Sequence, residues 1–148
     1  MTSQTLEKKE KSNKDKVVVD TSILITAVLV DGAYRKLLRK LLDAGFELPI
    51  AQEVIDEFNE VIKREKFKKY EPHFIEIFEE LRKSSVLLPY ATKISYEIEG
   101  SKEDEGIVNC CVENHIDYLI THDKGTLGKY NGLTVIHAQD FYSSFLAN

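Results

Sequence analysis

Between Lys16 and Leu146 the hydrophobic pattern switches repeatedly between two periods, and each switch marks an element. The β-branched run Lys16–Asp20 predicts a buried strand, and Thr21–Val30 follows as a largely apolar helix. Ala33–Ala44 carries Leu37, Leu38, Leu41 and Leu42 at helical spacing and stops at Gly45. Phe46–Ile50 predicts a strand, Ala51–Lys66 and Pro72–Ser84 two helices, and Val86–Leu88 a short strand. Residues 89–102 resist assignment, although Ile94, Tyr96 and Ile98 alternate like an edge strand. Glu103–His115 predicts a helix, Tyr118–Thr121 and Leu133–Ile136 strands, and Ala138–Leu146 a closing helix. Strands separated by helices of this length predict an α/β fold, a parallel β-sheet flanked by helices on both faces with right-handed crossovers. In such sheets the functional crevice lies beyond the carboxyl ends of the strands.

Four acidic segments fall at or near those ends: Asp20, Glu57, the cluster Glu103-Asp104-Glu105, and Asp123. Asp20 follows three valines that read as a buried strand, where an unpaired carboxylate is costly. It caps the next helix or binds a cation, roles that do not exclude each other, and Thr21 or Ser22 could cap in its place. On the helix 51–66, the apolar arc of Val54, Ile55, Phe58, Val61 and Ile62 leaves Glu57 roughly 100° from its centre. Glu53, Asp56 and Glu60 lie roughly 140° to 160° away, so Glu57 is the acid best placed to reach inward. Around Ile107 the same reasoning aligns Asp104 with the apolar stripe and turns Glu105 outward. The bland alternative for this cluster is a favourable interaction with the helix dipole. Thr121 and Asp123, two apart, face one side if their strand continues, although His-Asp-Lys-Gly also has turn composition. Carboxylates gathered in one place repel unless a cation neutralises them, and hard divalent ions prefer oxygen.

The chain has 148 residues, 43% apolar, enough for one domain with a proper core. Residues 1–15 are polar and lysine-rich and read as a flexible tail, leaving 16–148 as a single domain. Cys110 and Cys111 are adjacent in a predicted helix and point apart, so a mutual disulfide is not expected. With no long apolar run and no leader pattern, a cytoplasmic protein without membrane contact is expected. The net charge of −5 argues against a nucleic-acid partner only until the acidic site is set aside. His73, His115, His122 and His137 show no zinc spacing with the cysteines, and only His122, beside Asp123, is near the candidate chemistry.

V-V-V-D-T-S-I-L-I-T-A, E-V-I-D-E-F and D-Y-L-I-T-H-D-K-G-T-L together resemble the PIN-domain ribonucleases, especially the toxins of toxin–antitoxin pairs. The resemblance spans nearly all of residues 16–145. It implies a three-layer PIN-like sandwich whose carboxylates bind Mg²⁺ or Mn²⁺ to cleave RNA. It places Asp20 and Ser22 in the opening motif, Glu57 as the functional acid of the middle segment, and Thr121 and Asp123 in the closing motif. The family has an Asp eighteen residues before that last Asp, where this chain has Glu105. Spacing therefore favours Glu105 as the third ligand and the wheel favours Asp104, which we prefer. Asp20, Glu57, Asp104 and Asp123 are then the catalytic and metal-binding acids, with Glu105, Ser22 and Thr121 as alternative or supporting groups.

An acidic pocket needs flanking positive charge to receive RNA. Arg35 and Arg39 on the second helix, and Lys63 and Lys66 between the middle helices, are candidates, against the alternative that they merely solvate helix faces. The family analogy also implies a homodimer and a protein antitoxin, the helix pair 51–84 having more aromatics than a small core needs. Two other readings compete. A haloacid-dehalogenase-like phosphatase would require a second Asp where this chain has Ser22. A catalytically silent PIN-like module binding RNA or protein would explain the irregular third acid.

Overall fold

Three valines, all buried, make the first strand β1 (Val17–Val19), and the apolar helix α1 (Thr21–Leu29) leaves directly from its end. The computed structural model describes residues 15–30, 32–83, 86–93, 97 and 102–147. The remaining elements are α2 (Ala33–Asp43), β2 (Ile50–Ala51), α3 (Gln52–Ile62), α4 (Glu71–Lys83), β3 (Leu87–Leu88), α5 (Lys102–Glu113), β4 (Tyr118–Thr121), β5 (Gly128–Tyr130), β6 (Leu133–His137) and α6 (Ala138–Phe141). β1, β4, β6 and β5 pair in that order, and β2 pairs with β3 in a second small sheet. An isolated parallel bridge between Lys16 and Glu47 joins the two sheets beside β1. All pairings are parallel except β5 with β6. The fold is thus α/β with a mainly parallel sheet, as the pattern predicts.

Where the structure departs from the pattern, a local cause is visible. The strand expected over 46–50 pairs regularly only at Ile50 and Ala51, because Pro49 has no N–H to give the ladder. The helix expected to reach Lys66 stops at Ile62, and a 3₁₀ turn over Glu65–Tyr70 follows. That turn sets Phe67 edge-on against Phe74, ring centroids 6.0 Å apart. The antiparallel hairpin of β5 and β6 turns through Asn131 (φ 44°) and Gly132 (φ 95°), the two left-handed residues of a tight hairpin turn. The closing helix is α-helical only to Phe141 and widens into a π turn over Tyr142–Leu146. Residues 94–96 and 98–101, which include the proposed edge-strand positions Ile94, Tyr96 and Ile98, and residues 1–14 of the proposed tail lie outside the described residues. No helix among the described residues is long and apolar enough to cross a membrane.

The parallel register aligns the carboxyl ends of β1 and β4. Val19 pairs with Ile120, and the Asp20 N–H continues the ladder to the Ile120 carbonyl at 2.9 Å. Asp20 and Thr121 therefore emerge side by side at one rim. On the α3–α4 side, the aromatics expected to be surplus are packed inside the monomer. Phe58 and Phe74 are fully buried, and Phe78 stacks on Phe58 with centroids 5.1 Å apart. On these helices only Ile75 remains as an exposed large apolar side chain.

Candidate active site

Asp20 caps α1 itself, which removes the option that Thr21 or Ser22 does so. Its Oδ1 accepts from the Thr21 N–H at 2.8 Å, and its Oδ2 accepts from Ser22 Oγ at 2.8 Å and Thr121 Oγ1 at 3.1 Å. A carboxylate offers about four acceptor positions. Capping thus orients Asp20 and still leaves it capacity for a cation. Thr121, buried at the end of β4, works in two directions. Its hydroxyl donates to Asp20 and accepts from the Asp123 N–H at 3.0 Å. One side chain thereby sets the spacing of two acids that are far apart in sequence.

Asp123 does not continue the strand. It begins a short 3₁₀ turn (Lys124–Thr126), its Oδ1 accepting from the Gly125 N–H at 2.9 Å. The turn and the candidate site are the same feature. That N–H, followed by a hydrogen bond with Asp104, holds the Asp123 carboxyl below its ordinary range. Asp104, half-buried in the first turn of α5, is pushed the other way, up to about 7. Burial is the largest cause, followed by the hydrogen bond with Asp123 and the negative charges of Asp20, Asp123 and Glu57. The pair is read most simply as one shared proton, resident on Asp104, with Asp123 keeping the charge its backbone donor stabilises. The fold thus brings Asp20, Glu57 and Asp123 within electrostatic reach of Asp104.

The two acids next to this group behave differently. Glu105 is not among the charges acting on Asp104, and its Oε2 is buried without a hydrogen-bond partner. Glu53, which the helical wheel turns away from the core, is half-buried, and its Oε1 is likewise buried and unpartnered. Burial raises its carboxyl above the ordinary value. It lies against Gly106 of α5, where a Cβ would stand 3.2 Å from the Glu53 Cγ. The wheel assumes one apolar face, but α3 packs on the core with one face and on α5 with another. Glu57, four residues along and expected to be the acid that reaches inward, is instead exposed, while Glu53 is half-buried.

A model of the PIN domain matches residues 16–125. The chain belongs to the PIN-domain family. PIN domains are generally nucleases and typically use divalent metal ions. Among solved structures, a chain of VapBC2 from Rickettsia felis, crystallised with a DNA fragment from its promoter, superposes with a TM-score of 0.59 at 15% identity. The alignment covers 82% of this chain and 98% of that one. At that identity the likeness speaks for the fold. No curated protein sequence matches the chain.

In this PIN domain the donor set suits a hard divalent ion: carboxylate oxygens only, gathered where a cation would relieve the repulsion that helps to raise Asp104. Among the described residues no three or more His, Cys, Asp or Glu side chains form a ready-made metal cage. Of the four candidate cations, Arg35 and Lys66 contact groups other than the acids. Arg35 Nε and Nη2 donate to the carbonyls of Ala27 and Val28 at 3.1 and 3.4 Å, closing the last turn of α1. Arg39 lines a groove of about 470 Å³ with Arg35, His73, Glu76 and Ile77, and none of the four acids lines it. Lys63 and Lys66 are exposed, the Lys66 ammonium 5.0 Å from the centre of the Phe67 ring.

Proposed function

We propose that this PIN domain is a metal-dependent ribonuclease that hydrolyses RNA phosphodiester bonds, the toxin of a cytoplasmic toxin–antitoxin pair. The observation that supports the reading is the gathering of three acids around a fourth, Asp104 being raised to about 7 by its burial and by Asp123, Asp20 and Glu57. A Mg²⁺ or Mn²⁺ ion held by Asp20 and Asp123, with Asp104 and Glu57, would supply an activated water and polarise the scissile phosphate. Ser22 and Thr121 fix the Asp20 carboxylate through their hydroxyls. Asp104 is poised near neutral pH to give up or take back a proton at its carboxyl oxygen beside Asp123. Arg35, Arg39, Lys63 and Lys66 contribute at most diffuse attraction for phosphates.

The likeness to a chain of the VapBC2 toxin–antitoxin assembly supports a protein antitoxin as partner. A homodimer would rest on the exposed Ile75 and the half-buried Ile77 and Phe78 of α4. The rival reading, a catalytically silent module, is favoured by the missing ready-made cage among the described residues. Incubating a labelled, structured RNA with Mn²⁺, with EDTA, and with the Asp20→Asn variant separates the two. Cutting that needs both the metal and Asp20 is expected. Absence of both cutting and Mn²⁺ binding would leave the silent module.

A further inference from the structure

Tyr142 opens the π turn Tyr142–Leu146, and its ring lies under two ammonium groups of α2. The Lys40 Nζ stands 5.1 Å and the Lys36 Nζ 5.9 Å from the ring centroid. Hydrogen bonding from Lys40 foremost, and also from Lys36, holds the Tyr142 hydroxyl below its ordinary value. Both ammonium groups therefore converge on one phenolic oxygen. Lysines four apart on a helix repel each other, and among the described residues neither is paired with a carboxylate. Packing on the ring accounts for their apolar stems but not for the convergence of their charged ends. Tyr142 also lies beyond residues 16–125, the part of the chain that matches the PIN domain.

We propose that Lys36, Lys40 and Tyr142 form a binding site for a phosphate monoester dianion. The donors left over decide the ligand. Each ammonium has three N–H groups. Lys40 gives one to the Leu146 carbonyl at 3.1 Å and one to Tyr142, and the exposed Lys36 gives one to Tyr142. Tyr142 accepts from both, which leaves its own O–H to donate. The bond to Leu146 anchors Lys40, so half of the site is built before a ligand arrives. A phosphate monoester brings about −1.5 to −2 charge at pH 7 and three strong acceptor oxygens, a match for two ammonium groups and a phenol. A carboxylate or a phosphodiester brings a single charge and leaves one ammonium unneutralised. A free mononucleotide and the 5′ end of a nucleic-acid strand offer the same terminal phosphate. The site is separate from the four acids, and the inference does not rest on the nuclease reading.

The test is calorimetric titration of the full chain in EDTA at pH 7.5 and constant ionic strength. The probes are inorganic phosphate, dimethyl phosphate, adenosine 5′-monophosphate, and a short RNA with and without a 5′-phosphate. Native protein is expected to bind inorganic phosphate at one site, and the singly charged dimethyl phosphate roughly 10-fold more weakly. Lys36→Met keeps the apolar stem over the ring and removes the charge. It is expected to bind phosphate roughly 10-fold more weakly while melting like native without ligand, and Lys36→Arg is expected to bind like native. Tyr142→Phe keeps the ring and is expected to weaken binding roughly 3-fold. Asp20→Asn is expected to bind phosphate like native, because the acids take no part. No binding of phosphate by native protein overturns the site, as does Lys36→Met binding like native. Equal binding of dimethyl phosphate, or loss of binding in Asp20→Asn, overturns it too. Tighter binding of the mononucleotide than of the 5′-phosphorylated RNA upholds the site with a free nucleotide as ligand. Tighter binding of that RNA than of the mononucleotide or the 5′-hydroxyl RNA upholds it with a strand end.

Discussion

Thr121 ties Asp20 to Asp123 through one hydroxyl, so the near-isosteric Thr121→Val is the most informative single change at the site. Losing one donated and one accepted bond beside a buried strand end should cost about 1–2 kcal/mol in a urea melt. Mn²⁺ affinity should fall roughly 10- to 100-fold, because the groups that aim the ligands are lost while the ligands remain. Thr121→Ser should restore most of both. Asp104 gives the second prediction, with a definite sign. Its folded-state value is raised to about 7 from an ordinary 3.8, so its contribution to stability is fully present below pH 3.8 and is lost as pH rises through 7. Metal-free protein should therefore lose stability between pH 4 and 8. Asp104→Asn should flatten that slope and stabilise the protein at pH 8 by about 1 kcal/mol, a figure discounted for the partial exposure of the group. Asp20, Thr121 and Asp123 were legible from sequence because a strand end is a local feature. The preference for Asp104 over Glu105 follows side-chain direction on the helix; Asp104 feels the charges of Asp20, Glu57 and Asp123, and Glu105 keeps a buried, unpartnered Oε2. Glu53 was not legible, since its burial depends on α5 lying across α3, which no local pattern carries.

At the scale of elements, the approach of α5 to α3 decides whether Asp104 and Glu57 face the same space. Gly106 permits that approach, its missing Cβ standing 3.2 Å from the Glu53 Cγ. Gly106→Ala should gain helix propensity of about 1 kcal/mol and lose it again to this contact, leaving stability nearly unchanged. In a Glu53→Ala background the same substitution should stabilise by about 0.5–1 kcal/mol. A double-mutant cycle of thermal or urea melts reads the difference, and additive behaviour would mean that the contact does not constrain the helix pair. The helices and β4 were readable because their periodicity is strong. The strand predicted at 46–50 is cut back to Ile50–Ala51 because Pro49 interrupts the ladder, which the apolar run alone does not reveal. The β5–β6 hairpin was missed even though Asn131-Gly132 between apolar segments is a strong local hairpin signal.

For the whole molecule, the acids are arranged by the parallel register of β1 and β4 and by α3 and α5 closing over their ends. Such a site folds around its own repulsion, and a cation that binds only the folded state should stabilise it. Millimolar Mn²⁺ should raise the melting temperature by several degrees, and Asp20→Asn should abolish the rise. Sedimentation addresses the dimer separately. A lone monomer at micromolar concentration would remove the homodimer, in keeping with aromatics that pack inward on α3 and α4. The central claim, that four acids share one cation site and a proton sits there in its place, is tested most directly by calorimetric titration of Mn²⁺ at pH 6.5 in buffers of different ionisation enthalpy. One site with release of up to one proton is expected, the proton vanishing in Asp104→Asn and the site in Asp20→Asn. Binding without proton release, or binding indifferent to Asp20, would contradict it.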